Sequence, residues 1–289
     1  MVWVREVTGQ AESGSDWWPA PAKLNLFLHV TGRRPDGYHD LQTLFQILDW
    51  GDELRFSINE SGQISRDCNI EGLAEADDIC VQAARLLKFH CGVQRGVHIN
   101  LVKRIPMGAG LGGGSSDAAT VLVALNHLWS CGQTPQQLAE LGLELGADVP
   151  VFVLGRSALG QGRGEQLQPV TLGQRYYVLV FPEFSISTAS VFRHPALKRD
   201  SKPVDMSGVG LQSGRNDCET AALKMFPELR RIMEDLSAWG EPHMSGTGST
   251  IFLPFGDKKN AISTASVLKC RYNVRPVGGV DRSQLLDCL

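Results

Sequence analysis

The chain has 289 residues, a net charge of −3 and 43% hydrophobic residues. This is the composition of a folded globular protein long enough for two domains. The acidic balance excludes the broad basic surface of general nucleic-acid binding, and no apolar run approaches the roughly 20 residues of a membrane helix. Seven cysteines without a C-x-x-C pair indicate a reducing, cytoplasmic compartment rather than a disulfide framework or a zinc site.

The first half of the chain is rich in predicted strands. Residues 1–16 lack a continuous apolar segment, so we expect an N-terminal extension outside the fold rather than a secretory signal. Residues 20–30 alternate between apolar and polar, which predicts a half-buried strand with Lys23 and Asn25 on one face and Leu28 on the other. Further strands are predicted at 41–48, 52–58 and 96–102, and a helix at 77–91.

The second half alternates between helices and strands. A helix is predicted at 115–129, and another begins at Thr134, with Pro135 and Gln137 completing a capping box, and ends at Gly146. Strands are predicted at 175–181, 249–255 and 272–277, helices at 217–238 and 258–270, and a polar loop at 198–215. This order predicts an α+β protein with two lobes and a boundary near residue 170.

The most informative segment is residues 106–117, PMGAGLGGGSSD, in which five of the seven positions from 108 to 114 are Gly. Because a helix follows directly, backbone N–H groups and the positive end of the helix dipole meet there, which is typical of a phosphate site. We expect Gly112 and Gly113 to face the phosphates, where a Cβ would not fit. The alternative is a flexible surface loop.

Two known phosphate motifs do not describe this loop. The spacing Gly108-x-Gly110-x-x-Gly113 matches a dinucleotide fingerprint weakly, since no acidic residue follows about 20 positions later. A Walker A loop is excluded because no lysine follows the glycines.

Two charged residues stand in apolar surroundings. Asp148 precedes the apolar run Val149–Leu154 and is a candidate general base, with a helix N-cap as the alternative. Lys23 lies in an apolar strand and needs a carboxylate or phosphate partner, unless it lies on the wet face of a sheet. The small-residue loop Ser245–Ser249 is either a turn or a second ligand contact.

Together these segments resemble the GHMP kinase superfamily, and within it the 4-diphosphocytidyl-2-C-methyl-D-erythritol kinases. The resemblance is carried by residues 21–54, 105–126, 145–165 and 245–249, most specifically by Gly37-Tyr38-His39. Ala109 departs from the family pattern, in which Gly is frequent. The resemblance implies a two-lobed α+β fold: an N-terminal lobe (17–170) like domain 2 of ribosomal protein S5, and a ferredoxin-like C-terminal lobe (171–289).

The resemblance further implies an ATP-dependent kinase, with Mg²⁺, that phosphorylates the 2-hydroxyl of a cytidine-diphosphate-linked methylerythritol in non-mevalonate isoprenoid biosynthesis. Lys23 and Asp148 would form the catalytic pair, with Asp148 removing the hydroxyl proton or only orienting the hydroxyl. The cytosine would lie between Tyr38 and Phe192. The substrate-binding residues implied are Asn25, Tyr38, His39, Thr188 and Phe192. The ATP-binding residues implied are Pro106, Met107, Gly108, Ala109, Gly110, Leu111, Gly112, Gly113, Gly114, Ser115, Ser116, Gly246, Thr247 and Gly248.

No acidic cluster identifies protein ligands for Mg²⁺, so phosphate oxygens and water would supply most of its coordination. We expect a monomer or weak homodimer with a small-molecule substrate and with neither nucleic-acid nor membrane partners. Three alternatives remain. They are another GHMP kinase acting on homoserine, mevalonate or a sugar, a non-catalytic nucleotide- or RNA-binding module, and a dinucleotide-dependent oxidoreductase. The Gly37-Tyr38-His39 segment, the acidic net charge and the missing ribose-binding acid weigh against them in turn.

Overall fold

The computed structural model describes residues 16–67, 77–204 and 215–289. The strands are β1 Trp17–Arg33, β2 His39–Asn59, β3 Ile64–Asp67, β4 Gly96–Val102, β5 Ala158–Gly162, β6 Gln166–Pro169, β7 Arg175–Phe181, β8 His243–Met244, β9 Ile251–Phe255 and β10 Asn273–Val280. The helices are α1 Ile79–Cys91, α2 Gly113–Leu128, α3 Pro135–Leu145, α4 Val149–Leu154, α5 Thr188–Arg193, α6 Asp217–Met225, α7 Pro227–Leu236 and α8 Lys258–Leu268, followed by a 3₁₀ helix at Gln284–Asp287. Residues 1–15 of the predicted extension and 205–214 of the predicted polar loop lie outside the described residues.

The described strands form one sheet with the order β3-β4-β2-β10-β7-β9-β8. Strand β1 pairs with β2 in antiparallel fashion, β5 pairs with the start of β2, and β6 pairs with β5. The α+β class is confirmed. The boundary near residue 170 stays a prediction, since strands from both sides of it belong to this sheet.

The two strands predicted at 41–48 and 52–58 are wrong as separate elements, because they form the single strand β2. Lys23 pairs with Ile47 but Pro21 pairs with Gly51, so β2 carries extra residues between these pairs. Such a bulge bends a strand without ending it. The polar residues near 49–52, which suggested a break, sit at this bend.

A second bulge, in β1, decides which residues face the site. Asn25 pairs with Phe45 and Phe27 pairs with Leu44, so Leu26 is the extra residue. One extra residue reverses the alternation of the side chains that follow it. The placement of Leu28 opposite Lys23 was therefore wrong, and Leu28 lines the same cleft.

The helix ends follow local chemistry. Asp78 caps α1 by accepting from the N–H groups of Cys80 and Val81, and the capping box predicted for α3 is confirmed. Helix α2 begins at Gly113, two residues earlier than predicted. The helix predicted at 217–238 is two helices, because Pro227 starts α7 and Phe226 before it is extended.

Two large clusters of buried side chains stabilise the fold. Helices α1–α4 pack on one part of the sheet, and a second cluster joins α5–α8 to β7 and β9. A smaller cluster lies beneath the Gly-rich loop and contains Ala22, Leu24, Ile105 and Leu111. Because this cluster also includes residues of β7 and β10, it fixes the loop to both halves of the chain. The six described cysteines are all free.

Candidate active site

A cleft of about 600 Å³ opens where the Gly-rich loop meets β1 and the loop 245–249. Its lining includes most of the residues singled out from the sequence, and they come from both halves of the chain. These are Lys23, Asn25, residues 106–115, Asp148, Thr188, Phe192, Gly246 and Thr247. The fold thus brings together segments more than 200 positions apart.

Lys23 and Asp148 form an ion pair in this cleft. The Lys23 Nζ lies 3.5 Å from Asp148 Oδ2, and the two side chains are 3% and 34% exposed. Asp148 stands at the N-cap position of α4, but its carboxylate makes no capping hydrogen bond. The N-cap alternative therefore does not account for this residue, whose carboxylate instead faces the lysine and the open cleft.

The Lys23 ammonium is held by more than Asp148. It donates to Asn25 Oδ1 and, at 3.0 Å, to the Gly110 carbonyl of the Gly-rich loop. Asn25 in turn donates to Thr43 Oγ1 at 2.8 Å, which fixes the orientation of its amide. A buried ammonium is tolerated when its donors are satisfied in this way. Asn25, predicted to bind substrate, is therefore engaged in positioning Lys23.

The Gly-rich loop is folded against protein on its inner side. Gly108, Gly110 and Gly112 have φ values of 66°, 74° and 72°, a region that other residues rarely adopt. A Cβ at Gly110 would lie 2.3 Å from the Ser245 carbonyl oxygen. The loop and the segment 245–249 therefore pack backbone to backbone, and the loop ends directly at the N-terminus of α2. This end of α2 is an anion-binding geometry.

Packing around the loop bears on two of its predicted features. A Cβ at Gly112 would meet the Phe152 ring at 2.9 Å, and one at Gly113 would meet Ile105 Cγ2 at 2.9 Å. Protein packing on the Cβ side therefore already requires glycine at both positions, and the contact of their N–H groups with the phosphates stays a prediction. Ser116 was predicted to bind ATP, but it is fully buried and its hydroxyl donates to the Pro21 carbonyl at 2.7 Å.

Gly248 was also placed among the ATP-binding residues, and it does not line the cleft. Its N–H donates to the Ser245 carbonyl at 2.9 Å, and a Cβ there would lie 2.8 Å from Met244 Sδ. Gly248 therefore stabilises the shape of the loop 245–249 on the side that faces away from the cleft. Thr247 beside it faces the cleft and its hydroxyl lies 3.0 Å from that of Thr188, which joins this loop to α5.

A buried charge cluster beneath the Gly-rich loop was missed in the sequence. The Lys103 Nζ donates to Asp52 Oδ2 at 2.5 Å and to Asp117 Oδ2 at 2.7 Å. Burial raises the pKa of Asp117 to about 8; the Lys103 ammonium opposes this rise and Asp52 adds to it. Burial disfavours the charged form of Lys103, but the two carboxylates outweigh it and raise the pKa of its ammonium. The only signal in the sequence is a lysine just before the loop and an aspartate at its end.

Of the three aromatic side chains predicted to bind cytosine, Phe192 lines the cleft, whereas Tyr38 and His39 lie just beyond its lining residues, at what we call the aromatic rim. His39 stacks on Phe192 with ring centroids 5.2 Å apart, whereas Tyr38 is 56% exposed and packs against the Arg163 guanidinium. The sandwich of Tyr38 and Phe192 around cytosine stays a prediction, and one face of the Phe192 ring is already covered by His39. Arg199 donates to His39 Nε2 at 3.2 Å and to the Phe192 carbonyl at 2.7 Å, which fixes the His39 ring and the backbone that carries Phe192.

Burial, together with the positive charges of Arg199 and Arg33, lowers the pKa of His39 from its ordinary value. His39 is thus neutral at pH 7, with Nε2 accepting from Arg199 and Nδ1 left as the hydrogen-bond donor.

Two kinds of feature are absent from the described residues. Residues 16–67, 77–204 and 215–289 contain no group of three His, Cys, Asp or Glu side chains placed to hold a metal ion. In the same ranges, no helix combines the length and apolar character needed to cross a membrane.

Comparison with known proteins gives a consistent result. Residues 78–156 match the family described as GHMP kinases N terminal domain. A 4-diphosphocytidyl-2-C-methyl-D-erythritol kinase of Pseudoalteromonas atlantica is 46% identical over 274 residues, which cover 95% of this chain and 96% of that protein. A crystal structure of a 4-(cytidine 5'-diphospho)-2C-methyl-D-erythritol kinase superposes with a TM-score of 0.80 at 35% identity, covering 91% of this chain and 98% of the other.

A homoserine kinase from Cytophaga hutchinsonii has a TM-score of 0.69 at 16% identity, over 96% of this chain and 98% of its own. At that identity the likeness concerns the fold alone, and it confirms the GHMP kinase architecture. The identity over nearly the full length and the structural superposition are much closer for the cytidine-linked kinases. The chain therefore belongs to the 4-diphosphocytidyl-2-C-methyl-D-erythritol kinase family of GHMP kinases.

Proposed function

We propose that this protein transfers the γ-phosphoryl group of ATP to the 2-hydroxyl of 4-diphosphocytidyl-2-C-methyl-D-erythritol. The observation that carries the proposal is the Lys23–Asp148 pair, which lies in the same cleft as the Gly-rich loop at the start of α2. Phosphoryl transfer requires mainly positioning and charge stabilisation, and this arrangement provides both.

Each group at the pair has a distinct task. Asp148 is partly exposed to the cleft and accepts a hydrogen bond from the substrate hydroxyl, which it orients or deprotonates. Lys23 is buried and fixed by Asn25 and Gly110, so its ammonium offsets negative charge that develops during transfer without having to reorganise. The loop N–H groups at the start of α2 hold the phosphates of ATP.

The length of the cleft favours a long substrate. Lys23 pairs with Ile47, whereas the aromatic rim lies where Arg33 pairs with His39. Residues 39 and 47 lie eight positions apart on the extended strand β2, so the rim and the catalytic pair are separate ends of the site. Leu41, Thr43 and Phe45 line the cleft between the two ends. A cytidine base at the rim and a hydroxyl at Lys23 require a long linker such as a diphosphate, whereas homoserine and mevalonate are too short to contact both.

The substrate residues at the rim follow from this orientation. Tyr38 and Phe192 provide aromatic faces for cytosine, and the neutral His39 provides a hydrogen-bond donor at Nδ1. Thr188 lines the cleft beside Phe192 and is fixed by Thr247. The family resemblance supports these roles.

Mg²⁺ fits the site as a companion of ATP. Two oxygen donors, the Asp148 carboxylate and the Ser115 hydroxyl, line the same cleft as the loop. Mg²⁺ commonly takes only one or two protein ligands and completes its coordination with phosphate oxygens and water. Asp148 and Ser115 would hold the ion, which when bound would neutralise charge on the phosphates.

The cellular setting belongs to the same proposal. The proposal includes non-mevalonate isoprenoid biosynthesis as the pathway and the cytoplasm as the compartment. It also includes a monomer or weak homodimer that binds neither nucleic acid nor membrane. The relatives' activity supports the pathway. The net charge of −3 and the free cysteines in the described ranges support this setting.

A coupled ADP-release assay tests the proposed substrate. The purified protein is given ATP, Mg²⁺ and, in parallel, the cytidine-linked methylerythritol, homoserine or mevalonate. We expect turnover with the first compound at a kcat/KM at least about a thousandfold above the others, because only it contacts both ends of the cleft. Equal or greater turnover with homoserine or mevalonate would contradict the proposal and favour another GHMP kinase activity.

A further inference from the structure

Arg163 stands at the tip of the tight turn between β5 and β6. The flanking Gly162 and Gly164 have φ values of 70° and 113°, and the Gly164 N–H donates to the Gln161 carbonyl at 3.0 Å. The Arg163 N–H donates to Glu165 Oε2 at 2.5 Å. The turn is therefore fixed at its backbone, and the side chain that it presents starts from a defined position.

This turn places the arginine beside the aromatic rim. Gly162 pairs with Leu41, near the start of β2, and Leu41 and Arg163 both line the cleft. The Arg163 Cζ lies 4.8 Å from the centre of the Tyr38 ring. A guanidinium stacked on an aromatic ring keeps its N–H groups available at the edges for a further acceptor.

Arg163 differs from the other cations that line the cleft in how its charge is compensated. Three cations line it within the described ranges: Lys23, Lys103 and Arg163. Lys23 faces Asp148, and Lys103 lies between two aspartates. No ion pair with a carboxylate is formed by the Arg163 side chain in the part of the chain that the structure describes. The Arg163 guanidinium therefore leaves an uncompensated positive charge in the cleft, next to the aromatic rim.

We propose that Arg163 binds the diphosphate of the cytidine-linked substrate. The inference rests on the proposed function, which puts the base at Tyr38 and the reactive hydroxyl at Lys23. The diphosphate must then pass along the wall on which Arg163 lies. The planar guanidinium matches phosphate oxygens with two parallel hydrogen bonds, and its contact with Tyr38 lets one residue order both the base-stacking ring and the phosphates.

The test compares ligands that share the base but differ in their phosphates. Affinities of cytidine, CMP and CDP are measured by competition against the cytidine-linked substrate, for the parent, Arg163→Gln and Arg163→Lys. We expect Arg163→Gln to weaken CDP at least about tenfold while cytidine changes less than about threefold. Arg163→Lys keeps the charge and should recover part of the loss. In Arg163→Gln, the KM for the cytidine-linked substrate should rise in parallel with the Kd for CDP. The KM for ATP should stay unchanged.

A matched control is Arg55→Gln, which removes another arginine stacked on an aromatic ring, Trp17, at 5.1 Å and outside the cleft. It should leave all three affinities unchanged. Equal weakening of cytidine and CDP in Arg163→Gln would mean that Arg163 only holds Tyr38, and an unchanged CDP affinity or a raised KM for ATP would also overturn the proposal. If the parent itself bound no cytidine ligand, the proposed function would fail together with the inference. If the parent bound the cytidine ligands and Arg163→Gln bound them equally well, only the proposed role of Arg163 would be overturned.

Discussion

Lys23 shows how a single buried charge can be kept in an apolar strand. Its ammonium meets Asn25 Oδ1, the Gly110 carbonyl and the Asp148 carboxylate, so each of its three donors has a partner. The apolar strand indicated that Lys23 needs a partner. That Asp148, 125 positions later in the chain, comes close to Lys23 depends on the fold. Asn25 could be placed on the same face as Lys23 from alternation alone, since both precede the bulge at Leu26.

In the Asp52–Lys103–Asp117 cluster, the titration of Asp117 makes the free energy of unfolding depend on pH. The ordinary pKa of Asp117 is 3.8, and in the folded protein burial raises it to about 8. Between these values the folded state binds a proton that the unfolded state does not. The contribution of Asp117 to the free energy of unfolding is therefore fully present below about pH 4. This contribution falls as the pH rises to about 8.

Urea denaturation of the parent and the Asp117→Asn variant at about pH 6 and about pH 8.5 measures this contribution. The parent should lose more stability than the variant between these two values, since the amide does not titrate. The exposed Asp200→Asn is a charge-matched control and should follow the parent. The same pH dependence in the parent and in Asp117→Asn would show that Asp117 does not hold a proton in the folded protein.

At the scale of elements, the Gly-rich loop is tied to the loop 245–249 through Gly110. With a φ of 74° and the Ser245 carbonyl only 2.3 Å from a Cβ, Gly110→Ala forces the two loops apart. We expect this variant to lose ATP affinity at least about tenfold. Gly256→Ala is the matched control, because Gly256 lies outside the cleft and no atom lies within 4 Å of its Cβ.

Calorimetric titration with ATP, together with the melting temperature of each variant, separates binding from folding. Gly256→Ala should keep both the parental ATP affinity and the parental melting temperature. Parental ATP affinity in a folded Gly110→Ala protein would remove the pairing of the two loops from the account of the site.

Elements with local chemistry could be predicted from the sequence, and elements defined by distant partners could not. The capping box at Thr134 and the Gly146 helix end depend on residues within one turn of chain, and both are found. The continuity of β2 and the bulge at Leu26 depend on how β1 and β2 pair, which no window of sequence contains. Arg163 is of the same kind, since its neighbour Tyr38 lies 125 positions earlier in the chain, just before β2.

At the scale of the whole molecule, the last residues of the chain return to the first half. Leu285, on the final 3₁₀ helix, is fully buried in the cluster that contains Phe45, Ile47 and Phe152. The C-terminal segment therefore stabilises the part of the fold that carries Lys23 and Asp148. The domain boundary near residue 170 was predicted from a change in the sequence pattern. This buried cluster contains residues from both sides of that position.

Leu285→Ala should lower the free energy of unfolding by about 2–5 kcal/mol, because it leaves a cavity in a fully buried site. Leu289→Ala, four residues on and 60% exposed, should change stability by less than about 0.5 kcal/mol. Urea denaturation followed by circular dichroism compares the two. A Leu285→Ala protein as stable as Leu289→Ala would mean that the C-terminal segment does not support the first half of the chain.

The central claim is that Lys23 and Asp148 act on the transferred phosphoryl group, and single-turnover kinetics tests it most directly. The rate of product formation is measured with saturating ATP and cytidine-linked substrate for the parent, Lys23→Met and Asp148→Asn. The control Asp235→Asn breaks the surface ion pair with Arg271, 3.0 Å long, and should keep the parental rate. We predict that each active-site variant loses at least about a thousandfold in rate, roughly 4 kcal/mol of transition-state stabilisation, while ATP affinity stays within about threefold. A rate within about tenfold of the parent in a folded Asp148→Asn or Lys23→Met protein would contradict the claim.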